Sequence, residues 1–224
     1  LGQAQNNHPI RTAVAVGYAA LALPDHPDAP RWRDWALSEL DYLWGPDGHY
    51  VQPDGGVSEG PFYYGFAWGA STAFFIAVDN HGAPLEAQRD CRNRMDVDPW
   101  DDHGCVEGEV FPFDNPLRRA DYHATVAWSL GLRLPTGERP PLADAYVNGF
   151  NGAALLTSFG EDMGTMRWEL DHAPDGVRTF THGTDLRLHH LAWVNPDVPA
   201  EEPASGARVY PDSGLAVFRT GWEE

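Results

Sequence analysis

Apolar residues recur at helical spacing along much of the chain, and prolines mark the ends of several of these stretches. Residues 9–23 are rich in alanine and other apolar residues between Pro9 and Pro24, which predicts a buried helix with defined ends. Residues 31–44 place tryptophans and leucines at helical spacing with charged residues between them, which predicts an amphipathic helix. Residues 61–78 are almost entirely apolar and predict a second buried helix. Further helical patterns cover residues 117–132, 142–158 and 184–194.

The segments between and after these helices have a different composition. Residues 45–60 are rich in Gly, Pro and Asp, and residues 80–116 are polar, acidic and broken by Pro and Gly, so we expect an elaborated loop there. Residues 208–222 contain a Pro-Asp-Ser-Gly turn followed by an apolar run, which predicts a β-hairpin. The expected fold is therefore mainly α, with β structure beginning near the end of the chain.

The charge of the chain limits its partners. Its 224 residues include 33 acidic and 15 basic ones, all of the basic ones arginine, and the formal net charge is -18. Such a chain repels nucleic acid and anionic lipid, so neither is an expected partner. A polyanionic substrate would also be repelled unless arginines were concentrated near its binding cleft. No apolar run has the length that a membrane-spanning helix needs.

The first candidate motif is Asn6-Asn7-His8-Pro9, at the start of the first predicted helix. Proline suits the first helical position, so the side chains of Asn7 and His8 should project at the helix N-terminus. One interpretation is structural, because asparagine is a favoured helix cap. The functional interpretation is that an amide, an imidazole and the positive end of the helix together bind a carboxylate.

The second candidate motif is residues 54–64, DGGVSEGPFYY, which leads through Pro61 into the third predicted helix. Tyr63 and Tyr64 then fall in its first turn, where tyrosines usually belong to a core or an interface. A single helix separates the two motifs, so the first and third helices should run parallel in an up-down arrangement. We therefore expect Asn7, His8 and Tyr63 to share one rim.

These motifs resemble those of the heparinase II/III-like polysaccharide lyases and their alginate and heparin lyase relatives. The matching residues are Asn6-Asn7-His8, then Ser58-Glu59-Gly60-Pro61-Phe62-Tyr63, and finally the turn, apolar strand and arginine between Tyr210 and Trp222. The chain departs from the family pattern at Tyr64, where relatives frequently have histidine. Either tyrosine is thus a candidate for the reactive one, and we favour Tyr63 from its position relative to Pro61.

The resemblance implies a fold and a domain organisation. Residues 1–205 would form an incomplete (α/α) toroid of helical hairpins that lacks its N-terminal helices. Residues 206–224 would form the first strands of a truncated antiparallel β-sandwich. The family's remaining histidine, tyrosine and metal ligands lie mostly on that sandwich, so this chain would need no cofactor of its own, while a divalent metal on the missing part is allowed.

The implied activity is β-elimination on a uronic-acid-containing polysaccharide or oligosaccharide. Asn7 and His8 would neutralise the C5 carboxylate, and Tyr63 would act as acid, and also as base unless His8 takes that role. Tyrosine ordinarily keeps its proton at neutral pH, so a cation such as Arg11 or His8 would have to favour the phenolate. The expected substrate-binding residues are Asn6, Arg11, Glu59, Tyr64 and His123.

Other interpretations stay open. A glycoside hydrolase would need two facing carboxylates, for which Glu59, Asp54 and Asp121 are available. A uronate epimerase would use the same proton abstraction, and a noncatalytic carbohydrate-binding domain would use the nine tryptophans for stacking. No histidine or cysteine spacing matches a zinc site, and the acidic run of Asp96, Asp98, Asp101 and Asp102 does not fit the EF-hand pattern.

The two cysteines, Cys91 and Cys105, flank that acidic run and either form a bridge or stay reduced. A secreted or periplasmic location is favoured over a cytoplasmic one by the implied polysaccharide substrate. The oligomeric state cannot be inferred from the sequence.

Overall fold

A computed structural model describes residues 6–45, 48, 50–81, 85–91, 104–143, 145–149, 163–173 and 193–222 of the chain. Within this part the protein is mainly α-helical, with a few short antiparallel strands. The helices are α1 (Asn7–Ala22), α2 (Ala29–Leu43), α3 (Gly60–Asn80), α4 (Ala120–Gly131) and α5 (Met163–Asp171), and a 3-10 turn (Pro116–Arg118) precedes α4.

Six short strands form three separate antiparallel pairs. Strand β1 (Glu86–Gln88) pairs with β2 (Val110–Pro112), and β3 (Glu138–Arg139) pairs with β4 (Asn148–Gly149). The longest pair joins β5 (Gly206–Tyr210) to β6 (Leu215–Arg219) through a four-residue turn.

Helices α1 and α3 run parallel, as the sequence predicted. Asn7 at the start of α1 bonds to Glu59, the residue before α3, and further along α1 the guanidinium of Arg11 lies over the ring of Phe66. Near the far end of α1, Tyr18 packs edge-on against Phe74. These contacts occur in the same order along both helices, so their N-termini lie side by side.

Helix α4 runs antiparallel to α3. Tyr122 near the start of α4 exchanges a hydrogen bond with Thr72 late in α3, whereas Thr125 pairs with Tyr64 in the first turns of α3. The C-terminal end of α4 consequently lies beside the N-terminal end of α3. We call the face formed by the N-termini of α1 and α3 and the C-terminus of α4 the rim.

The aromatic core fixes this arrangement. Trp44, Trp68, Tyr64 and Tyr122 are fully buried and touch one another through edge and stacked ring contacts, with Trp44 Nε1 donating to Ser71 Oγ at 3.0 Å. Rings of this size bury large apolar areas and supply most of the packing energy between helices.

The hairpin of β5 and β6 packs against the end of α4. A Cβ on Gly131 would lie 2.0 Å from the hydroxyl of Tyr210, so only glycine lets β5 approach this closely. The inner face of the hairpin carries Tyr210 and Leu215, whereas Val209 and Phe218 on the outer face are exposed.

Several predictions are confirmed. The helices expected at 9–23, 31–44 and 61–78 correspond to α1, α2 and α3 to within a few residues at each end, and the pattern at 117–132 corresponds to the 3-10 turn and α4. The hairpin expected in 208–222 is also present. The predicted helix at 142–158 is wrong for its described residues, because none of them is helical and two pair as a strand with β3.

Other predictions need correction or lie outside the described part. Residues 80–116 are more than a loop, since they contain the β1–β2 ribbon and a disulfide between Cys91 and Cys105 with a Cα–Cα distance of 5.9 Å. Most of the helix expected at 184–194 lies outside the described residues. In the part that the structure describes, no helix is long and apolar enough to cross a membrane.

Candidate functional site

The N-terminus of α1 is capped by Asn6, the residue before the helix. Its backbone is extended, and its side-chain oxygen accepts a hydrogen bond from the His8 N–H at 2.9 Å. Asparagine satisfies the unpaired donors of a first helical turn in this way. The structural interpretation of the Asn-Asn-His motif therefore holds for Asn6.

Asn7 does not cap its own helix but bonds to Glu59. Its backbone N–H donates to Glu59 Oε2 at 2.6 Å, and its side-chain Nδ2 donates to Glu59 Oε1 at 3.0 Å. Asn7 is only 2% exposed. The positive end of α1 thus already faces a carboxylate, which is supplied by the protein itself.

The Glu59 carboxylate is perturbed by its surroundings. Burial raises its pKa above the ordinary value, and this effect exceeds the opposing effects of the bonds from Asn7 and the charge of His8. Behind it lies Tyr50, a fully buried residue whose pKa is raised by burial and by the charge of Glu59. Tyr50 could not be predicted, because nothing in the pattern of residues 45–60 shows which side chain turns inward.

The two adjacent tyrosines of α3 have different environments. Tyr64 is fully buried, and its hydroxyl shares a 3.0 Å hydrogen bond with Thr125. Tyr63 is partly exposed and packs edge-on against Phe62, with ring centroids 5.1 Å apart. Of the two, Tyr63 has access to solvent at the rim, whereas Tyr64 belongs to the core.

A third phenol lies near Tyr63. The ring of Tyr146 is 5.5 Å from that of Phe62, and Tyr146 is 73% exposed. Tyr146 was not predicted as a site residue because the pattern of residues 142–158 indicated a helix, whereas Leu142 and Tyr146 contact the start of α3. The backbone of Leu142 also approaches Gly60, whose positive φ of 78° suits glycine at this entry to the helix.

The remaining predicted site residues divide between the two ends of the bundle. His8 is exposed at the rim, and Arg11 is one turn further along α1, where its guanidinium carbon lies 3.6 Å from the centre of the Phe66 ring. Burial lowers the pKa of Arg11. His123 is placed elsewhere, because its Nε2 bonds to Leu117 O at 2.8 Å near the start of α4, away from the rim.

A cavity of about 340 Å³ opens next to the N-terminus of α3. Its walls come from the loop before α3, from α4, from the segment after β3 and from the hairpin turn. The lining includes Ser58, Gly60, Trp128, Leu142, Ser213 and Leu215. The cavity therefore extends from Ser58 and Gly60, the residues on either side of Glu59, to the hairpin turn.

Asp54 fastens the hairpin turn to one wall of this cavity. Its carboxylate accepts hydrogen bonds from the Ser213 N–H at 2.8 Å, the Ser213 hydroxyl at 2.6 Å and the Gly56 N–H at 3.0 Å. Burial alone would raise its pKa, but these bonds outweigh it and lower the pKa of Asp54. A Cβ on Gly56 would lie 1.6 Å from the Ser213 oxygen, so the contact requires glycine there.

Metal ligation finds no support among the described residues, where no group of three or more His, Cys, Asp or Glu side chains could hold an ion. The acidic run from Asp96 to Asp102 and the histidines His182, His189 and His190 lie outside those residues. Comparison with known proteins adds no family: no protein-family model, curated protein or solved structure matches the chain.

Proposed function

We propose that this protein is a polysaccharide lyase that cleaves a uronic-acid-containing polymer by β-elimination at the rim. The observation that carries the proposal is the bond of Asn7 to Glu59, because it joins the Asn-Asn-His motif to the segment that opens α3. Together with the exposure of His8 and the partial exposure of Tyr63, it supports the interpretation of these separated motifs as one site.

The first task in such a reaction is to neutralise the uronate carboxylate, because its charge makes the C5 proton hard to remove. In this proposal His8 and the field of Arg11 do this at the rim. Asn7 is only 2% exposed and bonds to Glu59, so in this proposal it contributes through the positive N-terminal end of α1 rather than by direct contact. Glu59 acts as a positioning residue that holds the Asn7 amide in place.

The second task is proton transfer. A base removes the C5 proton, the bond from C4 to the glycosidic oxygen breaks, and an acid protonates the departing oxygen. Tyr63 serves as the acid, and it also serves as the base unless His8 does. The product carries a double bond conjugated with the carboxylate, which absorbs ultraviolet light.

Replacing Tyr63 with Phe tests the proposal. We expect formation of the ultraviolet-absorbing product from uronate polymers to fall by at least about a hundredfold, which is the usual contribution of one acid-base group. Tyr18→Phe is the matched control, because it removes the same hydroxyl from α1 at a position that packs against Phe74, far from the rim. A Tyr63→Phe protein that keeps full activity would exclude the assigned role.

A glycoside hydrolase is the second candidate, and one observation favours it. The pKa of Glu59 is raised by burial, while that of Asp54 is lowered by its hydrogen bonds despite burial, and these are the directions that a general acid and a nucleophile or base require. Asp121 is less suited, since it is paired with Arg119 at 2.5 Å. Hydrolysis would release reducing ends without ultraviolet absorbance, so one product assay distinguishes the two activities.

The lyase proposal also includes the arrangement of the helices and of the terminal strands. The antiparallel helices and the terminal hairpin are consistent with a partial (α/α) toroid followed by the first strands of a β-sandwich. The disulfide between Cys91 and Cys105 supports a secreted or periplasmic location, because such bonds persist in oxidising compartments.

A further inference from the structure

Arginines cluster at the C-terminal end of α4. Arg133 and Arg139 are buried and share Glu169, with N–O distances of 3.0 Å and 2.6 Å. Arg139 Nε also donates to Ser129 O, one of the last carbonyls of α4. Cations at the C-terminus of a helix are stabilised by its dipole, which explains why this cluster forms there.

Two further arginines, Arg208 and Arg219, extend the cluster toward solvent. Both lie on the inner face of the hairpin and are half-buried. Arg219 donates to the carbonyls of Gly131 and Arg133, and its guanidinium carbon lies 3.7 Å from the centre of the Trp222 ring. We call Arg208 and Arg219 the hairpin arginines.

The hairpin arginines have no carboxylate partner among the described residues. The hydrogen bond of Arg208 is a long one, 3.4 Å, to Ala204 O. Burial lowers the pKa of Arg219, and the positive charges of Arg208 and Arg133 lower it further. Glu169 thus pairs with Arg133 and Arg139, whereas Arg219 lies in the field of Arg208, Arg133 and Arg139, in a chain whose formal net charge is -18. Like charges held this close are costly unless an anion offsets them.

Their position relates them to the rim. Because α4 runs antiparallel to α3, its C-terminal end lies beside Gly60, and Leu215 at the start of β6 lines the adjacent cavity. Arg219 follows Leu215 by four strand residues, which corresponds to about 13 Å along β6. A ligand at the rim that extends over the cavity and along the hairpin would reach them.

We propose that Arg208 and Arg219 form a subsite that binds a carboxylate or sulfate group of an acidic polysaccharide. The subsite lies beyond the cavity, away from Tyr63, and binds a sugar unit other than the one that reacts. The identification of the ligand as a saccharide rests on the proposed function. The subsite also explains how a strongly acidic chain associates with a polyanion: the arginines focus a local positive field that the global charge would otherwise cancel.

Substitution of Arg208 tests the subsite. Arg208→Gln removes one charge at a residue whose only described hydrogen bond is long, so the fold should survive; circular dichroism checks this. Arg31→Gln is the matched control, because it changes the net charge equally at an exposed position near the start of α2. Arg208→Lys keeps the charge without the paired donors of a guanidinium.

The measurement is binding of dextran sulfate, polygalacturonate and uncharged dextran to the full chain by calorimetry at low salt. We expect Arg208→Gln to weaken binding of at least one of the two anionic polymers about tenfold, as loss of a charge-assisted hydrogen bond does. Arg208→Lys should fall between wild type and Arg208→Gln, and Arg31→Gln should match wild type. The polymer affected identifies sulfate or carboxylate as the preferred group.

Two results would overturn the subsite: equal effects of Arg208→Gln and Arg31→Gln, or no binding of either anionic polymer by the wild type. Neither result depends on catalysis. Conversely, a wild type that binds these polymers through Arg208, together with a Tyr63→Phe protein that keeps full activity, would refute the assigned lyase role alone and leave the subsite in place.

Discussion

The contact between Asn7 and Glu59 shows how one residue pair sets both the geometry and the ionisation of the rim. Two donors from Asn7 converge on a carboxylate that is partly removed from water. Donation to a carboxylate favours its charged form and desolvation favours its neutral form. Desolvation prevails at Glu59, so its pKa is raised.

This balance predicts a pH-dependent difference between wild type and Glu59→Gln. A carboxyl group with a raised folded pKa contributes stability that is complete below its unfolded value of about 4.3 and is lost as the pH rises through the folded value. The free energy of unfolding of the wild type should therefore decrease relative to Glu59→Gln as the pH rises through this window. Urea unfolding of both proteins at a series of pH values measures the difference.

Only the change with pH in the difference between the two free energies of unfolding tests the pKa of Glu59. A constant difference does not, because the glutamine amide also alters the bonds to Asn7. Glu202→Gln, at an exposed glutamate, provides the reference for the loss of a surface charge. A difference between wild type and Glu59→Gln that stays constant with pH would show that the folded protein does not raise the pKa of Glu59.

At the residue scale the sequence indicated the site only partly. The two motifs and the proline in the first turn of each helix were enough to expect Asn7, His8 and Tyr63 at one rim. The pairing of Asn7 with Glu59 could not be predicted, since it depends on how α1 and α3 are offset along their axes. The sequence placed both tyrosines in the first turn of a buried helix but did not show that Tyr64 rather than Tyr63 faces the core, since adjacent helical positions differ by about 100° in direction.

At the scale of elements, the β5–β6 hairpin depends on its attachment to the loop before α3. A two-stranded hairpin is marginal by itself in water, so contacts with its neighbours must stabilise it. One such contact is made by Asp54, which accepts hydrogen bonds from the N–H and the hydroxyl of Ser213. The close approach of Gly131 to Tyr210 adds packing on the other side.

Asp54→Ala should loosen this attachment. We expect it to lower the free energy of unfolding by about 1 to 2 kcal/mol, since it removes charge-assisted bonds at a partly exposed site. The depressed pKa of Asp54 sets the pH dependence: its contribution is present above the unfolded value of about 3.9 and is lost as the pH falls through the folded value. Urea unfolding at neutral and acid pH measures both effects.

Asp212→Asn is the control, because Asp212 lies in the same turn with an exposed side chain. It should leave stability nearly unchanged. If Asp212→Asn destabilised the protein as much as Asp54→Ala, the loss would reflect the charge of the turn rather than the bonds to Ser213.

The elements themselves differed in how well the sequence defined them. Helices α1 to α4 have long apolar periodicity, and prolines lie at or near the starts of α1 to α3, so pattern alone identified them. Strands β1 to β4 span two or three residues each, and an alternation of apolar and polar residues cannot be recognised over so short a length. The error at 142–149 has the same origin, because apolar residues in a short irregular segment imitate a helical face.

At the scale of the whole molecule, charge is distributed unevenly. The formal net charge is -18, yet arginines form a local positive region near the end of α4, where Arg133 and Arg139 pair with Glu169 and Arg219 lies close to Arg208 and Arg133. The sequence predicted the overall imbalance and the need for arginines near a polyanion site. It could not place them, because Arg133, Arg139, Arg208 and Arg219 are separated along the chain and meet only in the folded structure.

This imbalance predicts that salt stabilises the fold at neutral pH. Folding brings many carboxylates closer together, and their mutual repulsion opposes the compact state. Sodium chloride reduces that repulsion, as the Debye length falls from about 30 Å at 0.01 M to about 3 Å at 1 M. The buried pairs of Glu169 are screened much less, so their contribution should persist.

The midpoint of urea unfolding should therefore rise as salt is added at pH 7. At about pH 4.7, where the sequence carries no net charge, the same addition should have little effect. A midpoint that falls with salt at pH 7 would show that attractive surface pairs, rather than net repulsion, dominate the electrostatic energy of this protein.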